Sequence, residues 1–285
     1  MRVVVARSER EALRALDGAG PGARVLAGGT DLMVELGAGR PAPDLVVDVR
    51  GVAALRGIRE EGGGLAIGAL ATCSDILGDT RVARHADLLA QAAREVGAVA
   101  IKNRATIGGN LGTASPAADL VPALFALGAR VRLASSRGVR ELAVEDFVTG
   151  YRATARAHDE LIAAVLVPPR PPGERRAFRK VGTRRAQSIA KVVVALAVAL
   201  DGRRAAGVRA AAGSVAERCI RLAAFERALA GRELDARTIA AAARDAARLD
   251  ARPRDDVRST AEYRRVVLAR VLAAALSDLA GLAPA

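Results

Sequence analysis

Short apolar runs alternate with amphipathic stretches from Met1 to Val49. The pattern predicts strand, helix, strand, turn, helix and strand over VVVA, SEREALRAL, ARVLAGG, DLMVELGAG and DLVVDV. Leu13 and Leu16 fall at helical spacing behind Ser8, a capping residue, and Gly18 and Gly20 end the run. From Leu55 the texture shortens: LRGIREEGGGLAIGAL has the form of a hairpin with Gly62, Gly63 and Gly64 at its turn. HADLLAQAAREVG is an amphipathic helix that leads into a loop carrying TIGGN, followed by a short helix in DLVPALFALG and strands in ARVRLAS and LIAAVLVP. The stretch PPRPPGERR, Pro168 to Arg176, marks a break between domains or a long exposed turn. Beyond it, AFRKVGT, SIAKVVVALAVAL and RAAGVRAAAG predict a small antiparallel sheet. RLAAFERALAG, TIAAAARDAARL and a final helix from Ser259 predict a helical tail. In STAE, Ser259 and Glu262 have capping-box spacing, and Tyr263, Val267, Val271 and Ala274 share one face of that last helix.

Composition narrows this picture to a globular chain. Hydrophobic residues make up 51% of it and aromatics only 2%, so the core is built from Ala, Val, Leu and Ile. No apolar run reaches the roughly 18 to 20 residues that cross a bilayer, and the first residues lack the order of a signal peptide. The expected state is soluble and cytoplasmic, with no membrane insertion. A net charge of +13 suggests a polyanionic partner. Against nucleic acid stand the even spread of the arginines, the presence of Lys102, Lys180 and Lys191 alone as lysines, and the scarcity of stacking aromatics. Cys73, Cys219, His85 and His158 are too few and too scattered for a zinc or iron-sulfur site, and each cysteine is expected to be a buried small apolar residue.

Two glycine pairs remain to be explained, in AGGTD (Ala27 to Asp31) and TIGGN (Thr106 to Asn110). Each on its own is a tight turn. Alternatively, exposed backbone N–H groups there bind a phosphate that a Cβ would keep away. The first pair follows a strand and precedes a helix, where an anion is favoured. Neither has the spacing of a dinucleotide GxGxxG or of a P-loop.

LAGGTDL, TIGGNLGTASPAADLVPAL, FRKVGTRRAQSIAKV and DDVRSTAEYRRVVL, in that order and over nearly the whole chain, resemble the FAD-binding subunits of the molybdenum hydroxylases. That family includes the medium subunit of aerobic carbon monoxide dehydrogenase and the FAD subunit of bacterial xanthine dehydrogenase. The resemblance implies an α+β fold. Residues 1–55 and 56–170 would be the two α+β subdomains of a FAD domain of the vanillyl-alcohol oxidase (PCMH) type. Residues 173–285 would be a three-stranded antiparallel sheet with a helical bundle.

By the same resemblance FAD contacts come from Arg24, Val25, Leu26, Ala27, Gly28, Gly29, Thr30 and Asp31, and from Thr106, Ile107, Gly108, Gly109 and Asn110. Asp119 holds the acidic position of the SPxxDL motif. Val96 and Ile162 supply apolar walls, and Lys180 a basic contact, although a solvated lysine in a charged run is a plainer account of Lys180. The chain departs from the family pattern at Ala118, where glycine is frequent, and it lacks Tyr and Trp near the expected flavin ring, which leaves Phe178 as a packing candidate. With no His or Cys beside either glycine motif, the FAD is expected to be non-covalent.

The implied partners are a large subunit with the molybdenum cofactor and a small 2Fe-2S subunit, in a dimer of heterotrimers. The flavin would collect electrons from the clusters and pass them to NAD, oxygen or a quinone. No catalytic acid, base, nucleophile or metal ligand is expected in this chain. The alternatives are a stand-alone FAD oxidoreductase and a basic, non-catalytic nucleic-acid-binding protein.

Overall fold

The structure, a computed structural model, describes residues 1–184 and 187–282, so Arg185 and Ala186 of the third motif lie outside the described residues. The first unit runs β1 (Arg2–Val5), α1 (Glu9–Asp17), β2 (Ala23–Leu26), α2 (Leu32–Gly37), β3 (Leu45–Asp48), in the order the hydrophobic pattern predicts. The strands form a parallel sheet in the order β1-β3-β2, which requires helical crossovers. The Ser8 side chain caps α1 by accepting from the Glu11 N–H at 3.2 Å, and Ala12 and Leu16 bury against Val47 and Leu55.

The second unit comprises β4 (Ile58–Glu61), β5 (Gly64–Gly68), α3 (Cys73–Gly78), α4 (Thr80–His85), α5 (Asp87–Arg94), α6 (Val99–Lys102), α7 (Ile107–Thr113), α8 (Leu120–Ala126), β6 (Arg130–Ser135), β7 (Gly138–Ala143), α9 (Val144–Phe147), β8 (Val148–Gly150), β9 (Ala153–Thr154) and β10 (Leu161–Val167). Its antiparallel sheet has the order β4-β5-β10-β6-β7, and β8 and β9 form a separate two-stranded hairpin. Gly62 and Gly63 take positive φ at the β4-β5 turn, as the glycine run predicts. Short helices α3 and α4 occupy a stretch whose period is too brief to register in the pattern. A capping box between Thr72 and Asp75 starts the first of them.

The third unit is β11 (Glu174–Val181), β12 (Val192–Asp201), β13 (Arg204–Gly213), β14 (Ile220–Arg221), α10 (Ala223–Leu229), α11 (Ala236–Asp245) and α12 (Ala261–Ala280). The three expected strands pair antiparallel, and the two-residue β14 extends the sheet by one. Strand β12 is apolar from Val192 to Leu200 because both of its faces are covered over most of that length. Val193, Ala195 and Ala197 join the core of the second unit, while Val192, Val194, Leu196 and Val198 join the core beneath α10 to α12.

The start of α12 corrects the expected cap. Thr260, not Ser259, is the N-cap, accepting from the Tyr263 N–H at 3.2 Å, while Ser259 turns back to bridge Asp256. The buried stripe is correspondingly Arg264, Leu268, Leu272 and Leu276, and Tyr263 and Ala274 are exposed. Arg264 is drawn inward by carbonyl and carboxylate acceptors: Ser214 O at 2.6 Å and Asp256 Oδ1 at 2.7 Å. Such acceptors come from distant loops, which helical periodicity does not register. Among the described residues no helix is long and apolar enough to cross a membrane, and no group of His, Cys, Asp or Glu is placed to hold a metal.

Candidate functional site

The two glycine motifs meet. The loop after β2 and the first turn of α7 both line one cavity of about 240 Å³. Arg24 through Asp31 line it, together with Thr106, Gly108, Gly109, Asn110 and Ile162. Backbone hydrogen bonds anchor the second motif to the segment Ala69 to Cys73. The Cys73 N–H donates to Ala105 O, Ile107 N–H to Ala71 O and Gly108 N–H to Ala69 O, all at 2.9 to 3.0 Å, so the 104–108 segment is fastened to the end of β5.

The four glycines serve different physical purposes. A Cβ on Gly28 would lie 1.9 Å from the Arg104 carbonyl oxygen, so this glycine lets the two backbones touch. Gly29 has φ +79°, the left-handed region. On Gly108 a Cβ would press 2.7 Å from Ala69 Cβ, whereas on Gly109 it would meet only the Thr106 hydroxyl, at 2.9 Å. TIGGN is therefore not the loop or tight turn expected for it: Thr106 is an N-cap, its Oγ accepting from the Gly109 N–H at 3.0 Å, and both glycines are helical. Helical glycine costs about 1 kcal/mol relative to alanine, and at Gly108 the close approach to Ala69 explains it.

Hydrogen bonding also differs between the motifs. The N–H groups of Ile107, Gly108 and Gly109 are already spent within the protein. Those of Gly28, Gly29 and Thr30 have no acceptor among the described residues. The carboxamide oxygen of Asn110 is buried without a partner. The cavity thus combines free backbone donors, an orphaned acceptor and an apolar wall that includes Leu55, Leu70, Leu161 and Ile162.

The remaining sequence-predicted residues stand off this cavity. Ile107 is fully buried and Val96 nearly so, both in the core of the second unit. Asp119 and Lys180 form an ion pair at 2.7 Å outside its lining, with Lys180 Nζ also donating to Glu95 O at 3.1 Å. The Lys180 side chain is only 5% exposed, so it is not a solvated lysine. Lys180 and Phe178 border a second, more open cleft of about 400 Å³ between α5 and β11, where the Phe178 N–H donates to Gln91 Oε1.

Burial pushes the Asp119 carboxyl up to about 6, against the pull of Lys180, and its Oδ1 has no partner. A carboxyl that protonates more readily folded than unfolded favours the fold at low pH, and this contribution is lost as pH rises from 3.8 toward 6. Lys180→Met removes the counter-charge. We expect it to cost about 2 kcal/mol in urea denaturation at pH 8 and distinctly less at pH 5, where Asp119 is neutral. A cost independent of pH would show that the pair acts only through packing.

Burial, with Asp119 nearby, also raises the Cys73 thiol to about 12, and burial raises that of Cys219 further still. Both cysteines are buried, as their composition context predicts. Iodoacetamide at pH 8 is expected to leave both unlabelled in the native chain and to label both in urea, read by intact mass. Rapid native labelling of Cys73 would place it on an accessible wall.

Sequence reasoning missed the arginines of the β8-β9 region. Arg152, at positive φ in the hairpin, pairs across the cavity mouth with Asp31 and Glu35, and Arg156 lines the interior. No local pattern distinguishes them in a chain with arginines throughout.

Residues 1–170 match the family model described as the FAD binding domain in molybdopterin dehydrogenase, and residues 176–279 match the CO dehydrogenase flavoprotein C-terminal domain. The nicotinate dehydrogenase FAD-subunit of Eubacterium barkeri is 36% identical over 180 residues, covering 62% of this chain and 61% of that protein. The glyceraldehyde dehydrogenase medium chain of Sulfolobus acidocaldarius is 31% identical over 278 residues, 97% of each chain. Among solved structures, carbon monoxide dehydrogenase from Hydrogenophaga pseudoflava superposes with a TM-score of 0.94 at 28% identity, covering 97% of this chain and 96% of that one.

Proposed function

Because this chain belongs to the FAD-binding subunits of the molybdenum hydroxylases, we propose that the cavity between its two glycine motifs holds the FAD. Its main support is that the two motifs, far apart in sequence, line one cavity whose first wall has backbone donors left free. The N–H groups of Gly28, Gly29 and Thr30 would donate to the diphosphate. Gly109 would leave its part of the wall open to it. The Thr106 hydroxyl would add a donor, and the orphaned Asn110 oxygen would accept from a ligand hydroxyl. Ile162 and the leucines would supply the apolar surface against which a flat ring packs.

The bound group supplies the capacity to take up electrons singly and release them in pairs. The chain itself binds, orients and shields it. We further propose that the electrons arrive from 2Fe-2S clusters of a partner subunit that serves a molybdenum-containing large subunit, and leave to an external acceptor. In support, the structurally similar carbon monoxide dehydrogenase from Hydrogenophaga pseudoflava is a molybdenum-cofactor enzyme. Affinity purification from the native host is expected to bring down cysteine-rich and molybdopterin-containing chains with one acid-extractable FAD per copy of this chain. Recovery of the chain alone with FAD and its own turnover would favour a stand-alone oxidoreductase.

A further inference from the structure

Arg156 lies just beyond β9, and its side chain forms part of the cavity wall. One end of its guanidinium is fully committed: Nη1 donates to the carbonyl oxygens of Ala157 at 3.1 Å, His158 at 3.3 Å and Glu160 at 2.6 Å. The Nε and Nη2 donors have no acceptor among the described residues. The group is therefore held in place by one nitrogen and presents an unused donor edge, the arrangement that suits an oxyanion.

Neighbouring charges leave that edge uncompensated. The Asp159 carboxylate is taken by Arg137 and the Glu160 carboxylate by Arg140, the latter with Nη2 to Oε2 at 2.8 Å. The two carboxylates on the cavity wall, Asp31 and Glu35, are both engaged by Arg152. Arg24 and Arg156, both lining the cavity, have no ion-pair partner among the described residues. Burial lowers the pKa of Arg156, Glu160 opposes this, and the like charge of Arg24 adds to the lowering. Two cations sharing a partly desolvated wall repel each other, and a dianion between them converts that repulsion into attraction.

We propose that Arg156, with Arg24 beside it, is the fixed counter-charge of the diphosphate of FAD, its Nε and Nη2 edge donating to phosphate oxygens. The proposal rests on the cavity being the FAD site. It divides the labour there, with glycine N–H groups shaping the cradle and arginines neutralising the charge.

Titration of the flavin-depleted full-length chain with FAD, ADP and riboflavin tests it. Arg156→Met is expected to weaken FAD and ADP about 30-fold, to leave riboflavin within about twofold, and to make the salt dependence of FAD binding shallower. Arg156→Lys keeps the charge and loses the fork, so it should retain the salt dependence while recovering only part of the affinity. FAD binding by Arg156→Met within twofold of the parent, or riboflavin weakened as much as FAD, would overturn the role. If Arg156→Met fails to fold, the lysine variant decides: parental FAD affinity would sink the donor edge, and a loss confined to FAD and ADP would support it. A parent chain that binds no FAD would instead refute the cavity assignment itself.

Discussion

Gly109→Asp is expected to cost the chain its FAD. At this position a Cβ meets only the Thr106 hydroxyl, so the substitution is sterically admissible, unlike one at Gly108 beside Ala69. The new carboxylate would stand on the wall of the cavity that Gly28 and Gly29 also line, where the diphosphate is proposed to lie. Like charges in a partly desolvated site cost several kcal/mol, which corresponds to a loss of at least about a hundredfold in affinity. Gly109→Ala separates charge from bulk: the gain in helix propensity, about 1 kcal/mol, offsets the displaced cap, and most of the FAD should be retained. The measurement is flavin absorbance per chain after ultrafiltration, with thermal unfolding of the apo-chain as the check on folding. Parental flavin content in Gly109→Asp would remove this wall from the site.

Gly28→Ala is expected to damage the fold rather than the ligand contact. Its Cβ would fall 1.9 Å from the Arg104 carbonyl oxygen and 2.7 Å from the Arg104 carbonyl carbon, both main-chain atoms that cannot swing aside. The contact joins the first unit to the second, where the Arg104 guanidinium also donates to Gly28 O. Relief requires separating the loop after β2 from the 104–108 segment. We expect a loss above about 3 kcal/mol, at the upper end for overpacking. Gly29→Ala, which pays only for positive φ, should lose about 1 kcal/mol. Equal melting temperatures for the two variants would show that the backbones part without cost.

The chain's periodicity was legible wherever the solvent boundary coincided with a single element. The β-α-β-α-β order of the first unit follows from alternation and capping, as Ser8 and Gly18 demonstrate at the two ends of α1. It failed where partners came from far away. The cap of α12 slid from Ser259 to Thr260, and its buried face turned toward Arg264, because acceptors on Ser214 and Asp256 hold that arginine inside. TIGGN was legible as a special position but not as a helix start, since two glycines predict a turn until Ala69 and Ala71 supply acceptors for their neighbours.

By itself, the sequence determined the family, the unit order and the pair of glycine motifs, because each is written in contiguous residues whose local geometry is set by chirality, period and caps. The tertiary structure alone decided that these motifs line one cavity. It set Gly28 in backbone contact with Arg104 while leaving its N–H without an acceptor among the described residues. It buried Lys180 against Asp119, and it left Arg24 and Arg156, which line the same cavity, without anionic partners among the described residues. Those outcomes depend on which charges the fold brings within a few ångströms of each other and which it desolvates, and neither quantity is encoded at any one position in the chain.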